Sequence, residues 1–210
     1  FGLPVITMDL MIFIYNWTDT FVVSIFRPTW EVSCYNVSFG MINMIMVVIG
    51  AVSTSLLPVV SEKNVDKDPG ELSDDYNRIV RILALVVYPM LVFIIFVQPW
   101  VMMIYGEQYL PGLMVLWILS IWGFFRPFSR IGNTMLTAMG RQKYVLYSTS
   151  IVATANIALN LVLVPLMGMN GAALASTLSI CAGSVISIIF VKRFESVKPS
   201  FAEPLKILGL

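Results

Sequence analysis

Of the 210 residues, 58% are apolar, only 12% are charged and none is histidine. Soluble domains carry roughly 25% charged residues, so a mean hydropathy of +0.86 excludes an ordinary soluble fold. The missing imidazole excludes Ser-His and Cys-His nucleophiles, His-ligated metals and a His pH switch, and a net charge of +1 offers no polybasic surface for nucleic acid.

A helix needs roughly 20 mainly apolar residues to cross a hydrocarbon core of about 30 Å. Six runs meet that length, near 5–27, 35–60, 78–105, 111–138, 144–167 and 170–192. They are continuous rather than alternating, so they read as helices and not barrel strands. The fold class is all-α: a polytopic membrane protein, expected as a single six-helix bundle over 1–210. The chain opens Phe1, Gly2, Leu3, Pro4 with no basic leader segment, and it reads as a piece of a longer polypeptide.

The first run carries Asp19, a charge well inside the apolar stretch. It ends near Arg27, with Glu31 expected at the interface. The second run holds Asn43 and is expected to end at Pro58. The loop 61–77 carries Lys63, Lys67, a Pro69-Gly70 turn signal and Ser73, Asp74 and Asp75. These read as a short amphipathic helix capped by Ser73 and leading into the third span. The third run contains Pro89 and Pro99 and ends in the aromatic belt residues Trp100, Tyr105 and Tyr109, matched by Trp30 after the first run. The fourth carries Arg126, Pro127, Arg130, Asn133 and Thr134. The fifth carries Asn156 and Asn160 on one face and is expected to end at Pro165. The sixth is lined with Gly171, Ala172, Ala175, Ser176, Ser179, Gly183 and Ser187 at spacings of four. Small residues let helices approach closely in lipid, so this run is expected inside the bundle. Cys34 and Cys181 lie in apolar runs and read as buried thiols.

Lys and Arg set the orientation. They gather in the loops after the second and fourth runs and in the tail (Lys63, Lys67, Arg78, Arg81; Arg141, Lys143; Lys192, Arg193, Lys198, Lys206). The other three loops hold Arg27 alone. Both ends are therefore expected in the cytoplasm, which an even number of spans requires.

Charges within hydrocarbon are costly and face a cavity or a partner. At about 1.5 Å per residue, Asp19 lies roughly 21 Å and Arg126 roughly 18 Å from the inner ends of their spans. Two arrangements satisfy them. In one, they form a buried ion pair. In the other, Arg126 and Arg130, one turn apart, present guanidinium forks to an anionic headgroup in a water-filled cavity. Asn133, Asn156 and Asn160 are the polar candidates beside them, with interhelical hydrogen bonding as their alternative role. No phosphate loop, metal-ligand spacing or pair of carboxylates within one span appears, so neither catalysis nor a cofactor is expected.

Several short elements share one order with a known family. Leu56, Leu57, Pro58, Val59, Val60, Ser61, Glu62 resembles the Leu-Pro-x-x-Ser-Glu span end of polysaccharide flippases. Ile104 to Tyr109 is similar to their Gly-x-x-Tyr element. Thr137 to Lys143 resembles their Ala-x-Gly-Arg-x-Lys loop, and Pro165 to Ala173 their Pro-x-x-Gly-x-x-Gly-Ala-Ala turn after an asparagine-bearing span. The resemblance is to the O-antigen type flippases of the multidrug/oligosaccharidyl-lipid/polysaccharide exporter superfamily, over about Asp19 to Arg193. It implies a MATE-like transporter of two six-helix lobes, of which this chain is the C-terminal one. It also implies transport of lipid-pyrophosphate-linked sugar across the cytoplasmic membrane by alternating access. The bilayer, that substrate and an N-terminal lobe are the implied partners, and the implied lumen is positive, as Arg126 and Arg130 would make it. Asp19 departs from that pattern and suits a coupling cation. A multidrug cation antiporter of the same superfamily would instead need a negative cavity. A membrane-embedded glycosyltransferase would need a large loop bearing carboxylates, and a structural membrane subunit would have its intramembrane charges paired and dry.

Overall fold

The computed structural model describes residues 2–63 and 69–195, with side chains described over 10–54 and 76–191. Seven α-helices follow one another: α1 (Gly2–Phe26), α2 (Thr29–Asn43), α3 (Ile45–Lys63), α4 (Pro69–Tyr105), α5 (Gly112–Ala138), α6 (Gln142–Met167) and α7 (Met169–Glu195). A short 3₁₀ turn, Glu107–Tyr109, joins α4 to α5. The described residues hold no strand, as lipid requires of an open, non-barrel chain. Five segments are long and apolar enough to cross a membrane, with α2 and the start of α3 counting as one. The apolar part of α1, Leu10–Phe26, is shorter. The chain is a multi-pass membrane protein.

Several boundaries differ from the sequence reading. The second span starts at Thr29 and breaks at Met44, just after Asn43, whose amide competes with the backbone ladder. The helix around Pro58 runs on to Lys63, and Pro165 lies inside α6. No separate amphipathic helix precedes the third span, because α4 is one helix of 37 residues. It opens at Pro69, whose fixed φ and missing N–H suit the first helical position. Ser73 is therefore inside the helix rather than at its cap. Lys67, Lys198 and Lys206 lie outside the described residues, and the side chain of Asp9 lies outside the described ones.

Helix α7 is the interior helix. Ala172, Ala173, Ala175, Ser176, Ser179, Ser184 and Ser187 are all fully buried, between α5 on one side and α6 on the other. A Cβ on Gly132 of α5 would come within 2.9 Å of Ser187 Cβ, and one on Gly183 would strike Val152 of α6. The helix backbones approach that closely because these positions have no side chain. Ser184 donates to the Phe125 carbonyl at 3.0 Å, in the stretch where Pro127 interrupts the ladder of α5.

The end bearing the α1–α2, α4–α5 and α6–α7 turns is fastened by Glu31. It is buried, pairs with Arg27 at 3.2 Å and accepts the Met169 N–H at 2.9 Å. The carboxylate thereby caps the positive end of α7. Gly168, at φ 60°, makes room for it.

Candidate functional site

Two polar assemblies occupy the middle of the bundle, and α1 takes part in both. The first is centred on Asp19, which is buried. Its Oδ2 accepts from Tyr35 Oη of α2 at 2.5 Å and from Ser176 Oγ of α7 at 2.5 Å. Its Oδ1 accepts from Asn160 Nδ2 at 2.7 Å and Asn156 Nδ2 at 3.2 Å, both of α6. Four donors fill the four acceptor positions that a carboxylate offers. They come from three helices, so one side chain joins α1 to α2, α6 and α7. Each asparagine amide spends its second N–H nearby: Asn156 on Ser176 Oγ at 3.0 Å, Asn160 on the Asn156 carbonyl at 2.9 Å. Their amide oxygens, Asn156 Oδ1 and Asn160 Oδ1, are buried with no partner. The carboxylate is thus fully taken by donors, and the two amide oxygens are the unpartnered atoms of the cluster.

The second assembly is a cleft between α1, α5, α6 and α7. It is lined by Tyr15, Arg126, Arg130, Asn133, Ser148 and Thr149, among others. It continues toward the α5–α6 turn as an open chamber that adds Ser53, Thr54, Thr134 and Thr137. Ile12, Arg130, Asn133 and Thr149 line both parts. The helical period explains the arrangement, since residues 126, 130 and 133 share one face of α5. Among the described side chains no carboxylate lines either part, and Arg126 and Arg130 are the charged groups that do.

Arg126 is held by its surroundings. Its guanidinium lies over the Trp122 ring at 5.2 Å and the Tyr15 ring at 5.7 Å, and its Nε donates to Met46 Sδ at 3.4 Å. Trp122 Nε1 donates to Tyr15 Oη at 3.0 Å, fixing both rings of the cradle. Arg130 Nε is buried without a partner. Asn133 accepts from Ser187 Oγ at 2.9 Å.

The sequence candidates therefore divide in two. Arg126, Arg130 and Asn133 share the cleft. Asn156 and Asn160 belong to the Asp19 cluster and stand apart from it. Asp19 and Arg126 do not pair, and Arg27 pairs instead with Glu31. Asn43 is exposed. Tyr15, Tyr35 and Trp122 escaped the sequence reading, which took Ser176 for a packing residue alone. Spacing links Tyr15 to Asp19 and Trp122 to Arg126 at i, i+4, but aromatics and small polar residues are common in spans and carry no signal alone. Among the described residues, no group of His, Cys, Asp and Glu is arranged to hold a metal ion.

The architecture is shared with solved transporters. A MOP superfamily transporter of Pyrococcus furiosus superposes with a TM-score of 0.78 at 18% identity, over 96% of this chain and 46% of that one. The lipid II flippase MurJ, in an inward closed conformation, gives 0.72 at 19%, over 98% and 43%. At these identities the likeness is one of fold. In sequence, a probable low-salt glycan biosynthesis flippase of Haloferax volcanii is 22% identical over 192 residues, 91% of this chain and 41% of the relative. The chain thus spans about two-fifths of that relative's length. The family model for polysaccharide biosynthesis proteins matches residues 1–114. With more than half of its length matched by that model, on a fold held in common with MOP superfamily transporters, the chain belongs to the polysaccharide biosynthesis protein family.

Proposed function

We propose that this chain is one six-helix lobe of a flippase. It moves lipid-linked oligosaccharide across the cytoplasmic membrane by alternating access, with both ends of the lobe in the cytoplasm and no covalent chemistry. One observation carries the reading: a cleft within the bundle that presents Arg126 and Arg130 and, among the described side chains, no carboxylate. Guanidinium groups stay charged at every working pH and match phosphate oxygens in a fork. A cleft of that sign attracts a lipid pyrophosphate and repels the organic cations that a multidrug antiporter exports. A length of about two-fifths of the curated relative supports a further lobe completing the transporter.

Asp19 is the coupling residue in this reading, with Asn156, Asn160, Ser176 and Tyr35 as its shell. A cation entering the cluster displaces donors from the carboxylate, and two amide oxygens in the same cluster have no other partner. Asn156 and Asn160 thus serve ion coupling rather than substrate contact.

The test is flipping of a fluorescent lipid-pyrophosphate sugar by the full-length protein in liposomes. Replacing both arginines by alanine is expected to slow flipping at least tenfold with the fold retained, as would Asp19→Asn. Wild-type rates in all of these variants would refute the site assignment and leave the architecture untouched.

A further inference from the structure

The two arginines of the cleft are not equivalent. Resting on the reading above, we propose that Arg130 with Asn133 forms the phosphate seat, and that Arg126 does not contact the phosphate but stays in its aromatic cradle.

The donors decide it. A bidentate fork uses either Nε with one Nη, side-on, or the two Nη groups, end-on, and only the first needs a free Nε. Arg126 has committed Nε to Met46 Sδ and its planar face to Trp122 and Tyr15. Those rings are locked to each other by the Trp122–Tyr15 hydrogen bond, so freeing the guanidinium would break several contacts. Arg130 has made no such commitment. Its Nε is buried and has no partner, and a buried donor left unmet is costly. An anion removes that cost on binding, which is the property of a seat rather than of a wall. Asn133 lies three residues on, on the same face of α5, and turns its oxygen to Ser187. Its Nδ2 is thereby left to donate into the cleft. Together, Arg130 and Asn133 offer only donors.

Position agrees with chemistry. Both residues line both parts of the cleft, whereas Arg126 lines only the first. A phosphate on Arg130 therefore sits at the junction. The group it carries extends into the chamber of Ser53, Thr54, Thr134 and Thr137. The Thr54, Thr134 and Thr137 hydroxyls each donate to their own helix backbone, which leaves lone pairs facing the chamber. Those accept from the hydroxyls of a sugar. The ligand class is a phosphate-bearing group with a hydroxylated substituent.

The experiment uses full-length protein in nanodiscs and inorganic pyrophosphate as the probe, read by calorimetry and by the shift in melting temperature. Arg130→Ala is expected to weaken binding by tenfold to a hundredfold, and Arg130→Lys by at least fivefold, because an ammonium has no fork. Arg126→Lys, which keeps the charge, should change affinity less than threefold, and Asn133→Asp should abolish binding. Without pyrophosphate, Arg130→Ala should melt no lower than wild type, since it removes an unmet donor. A purely structural role for Arg130 would lower that temperature and overturn the proposal. So would an Arg126→Lys variant that loses as much affinity as Arg130→Lys, with the positive-cleft reading left intact. Pyrophosphate binding that survives loss of both arginines would sink that reading itself. Discs of phosphatidylglycerol against phosphatidylcholine separate the sources. Arg130-dependent competition by phosphatidylglycerol assigns the seat to a bilayer headgroup phosphate, and its absence to a carrier diphosphate.

Discussion

Replacing Asp19 by leucine and by asparagine separates its two roles. Leucine removes every acceptor at the centre of four hydrogen bonds. The Tyr35 and Ser176 hydroxyls then lose the acceptor they share, and each asparagine amide keeps one of its two N–H bonds. Interhelical hydrogen bonds in membranes average about 0.6 kcal/mol each, which puts the loss near 2.5 kcal/mol at the least. Each buried donor left unmet costs about 1–3 kcal/mol, so about 4 kcal/mol is expected, a large part of the 5–15 kcal/mol that holds a typical domain together. Asparagine behaves differently. Its amide oxygen takes the place of Oδ1 and still accepts from Asn156 and Asn160, and its N–H₂ takes the place of Oδ2. The hydroxyls of Tyr35 and Ser176 turn over and accept. Asp19→Asn should therefore melt within about 1–2 kcal/mol of wild type, the difference being the charge assistance that is lost. Flipping by this variant should no longer respond to the coupling cation. Melting of detergent-solubilised protein, followed by size-exclusion fluorescence, measures the first quantity, and liposome flipping against a cation gradient measures the second. A leucine variant as stable as wild type would refute the four-donor account. An asparagine variant that still responds to the gradient would refute the coupling role alone.

The fastening at Glu31 gives a second expectation. Glu31→Ala removes both the cap on α7 and the partner of Arg27, and should lower stability by about 1–2 kcal/mol. Arg27→Ala breaks only a half-buried i, i+4 pair and should cost about 0.5 kcal/mol, which chemical denaturation of the two variants will compare. At Gly183, where an added Cβ meets Val152, alanine should destabilise by about 1–3 kcal/mol through overpacking. Val152→Ala in the same chain should recover part of that loss, as a double-mutant cycle in a melting assay will read.

What was legible in the sequence follows from which signals a membrane makes local. Lipid forces each span to be long, apolar and helical, so the runs appear without any knowledge of tertiary contacts. The small residues of α7 announced an interior helix for the same reason. Boundaries were less legible. Apolar content shows where a helix lies in hydrocarbon, and α4 continues well past it to Pro69. Prolines misled at positions 58 and 165, because a helix carries on past a proline where neighbouring groups satisfy its backbone. The capping role of Glu31 was not legible because nothing in its own segment reveals the Met169 N–H, 138 positions away. The arginine cleft was visible as charges one turn apart. That Asn156 and Asn160 would turn to Asp19 and not to Arg126 depends on the rotation of α6 about its axis, which no spacing within α6 encodes.

Helix α1 ties these observations together. Tyr15 and Asp19 are one turn apart on the same face, one cradling Arg126 and the other held by α2, α6 and α7. The α1–α5 contact at this level is made by side chains, through the Trp122–Tyr15 hydrogen bond and the stacking of Arg126. A rotation or tilt of α1 therefore moves the wall of the cleft directly while α5 stays anchored to α7 by Thr177 and Ser184. The four bonds at Asp19 fix the setting of that rotation. Under the proposed function, occupancy of the Asp19 cluster by a cation changes how those bonds are shared, and Tyr15 conveys the change to the cleft over a single helical turn. The ion site and the wall of the cleft need no long pathway between them, because one rigid helix carries a residue of each.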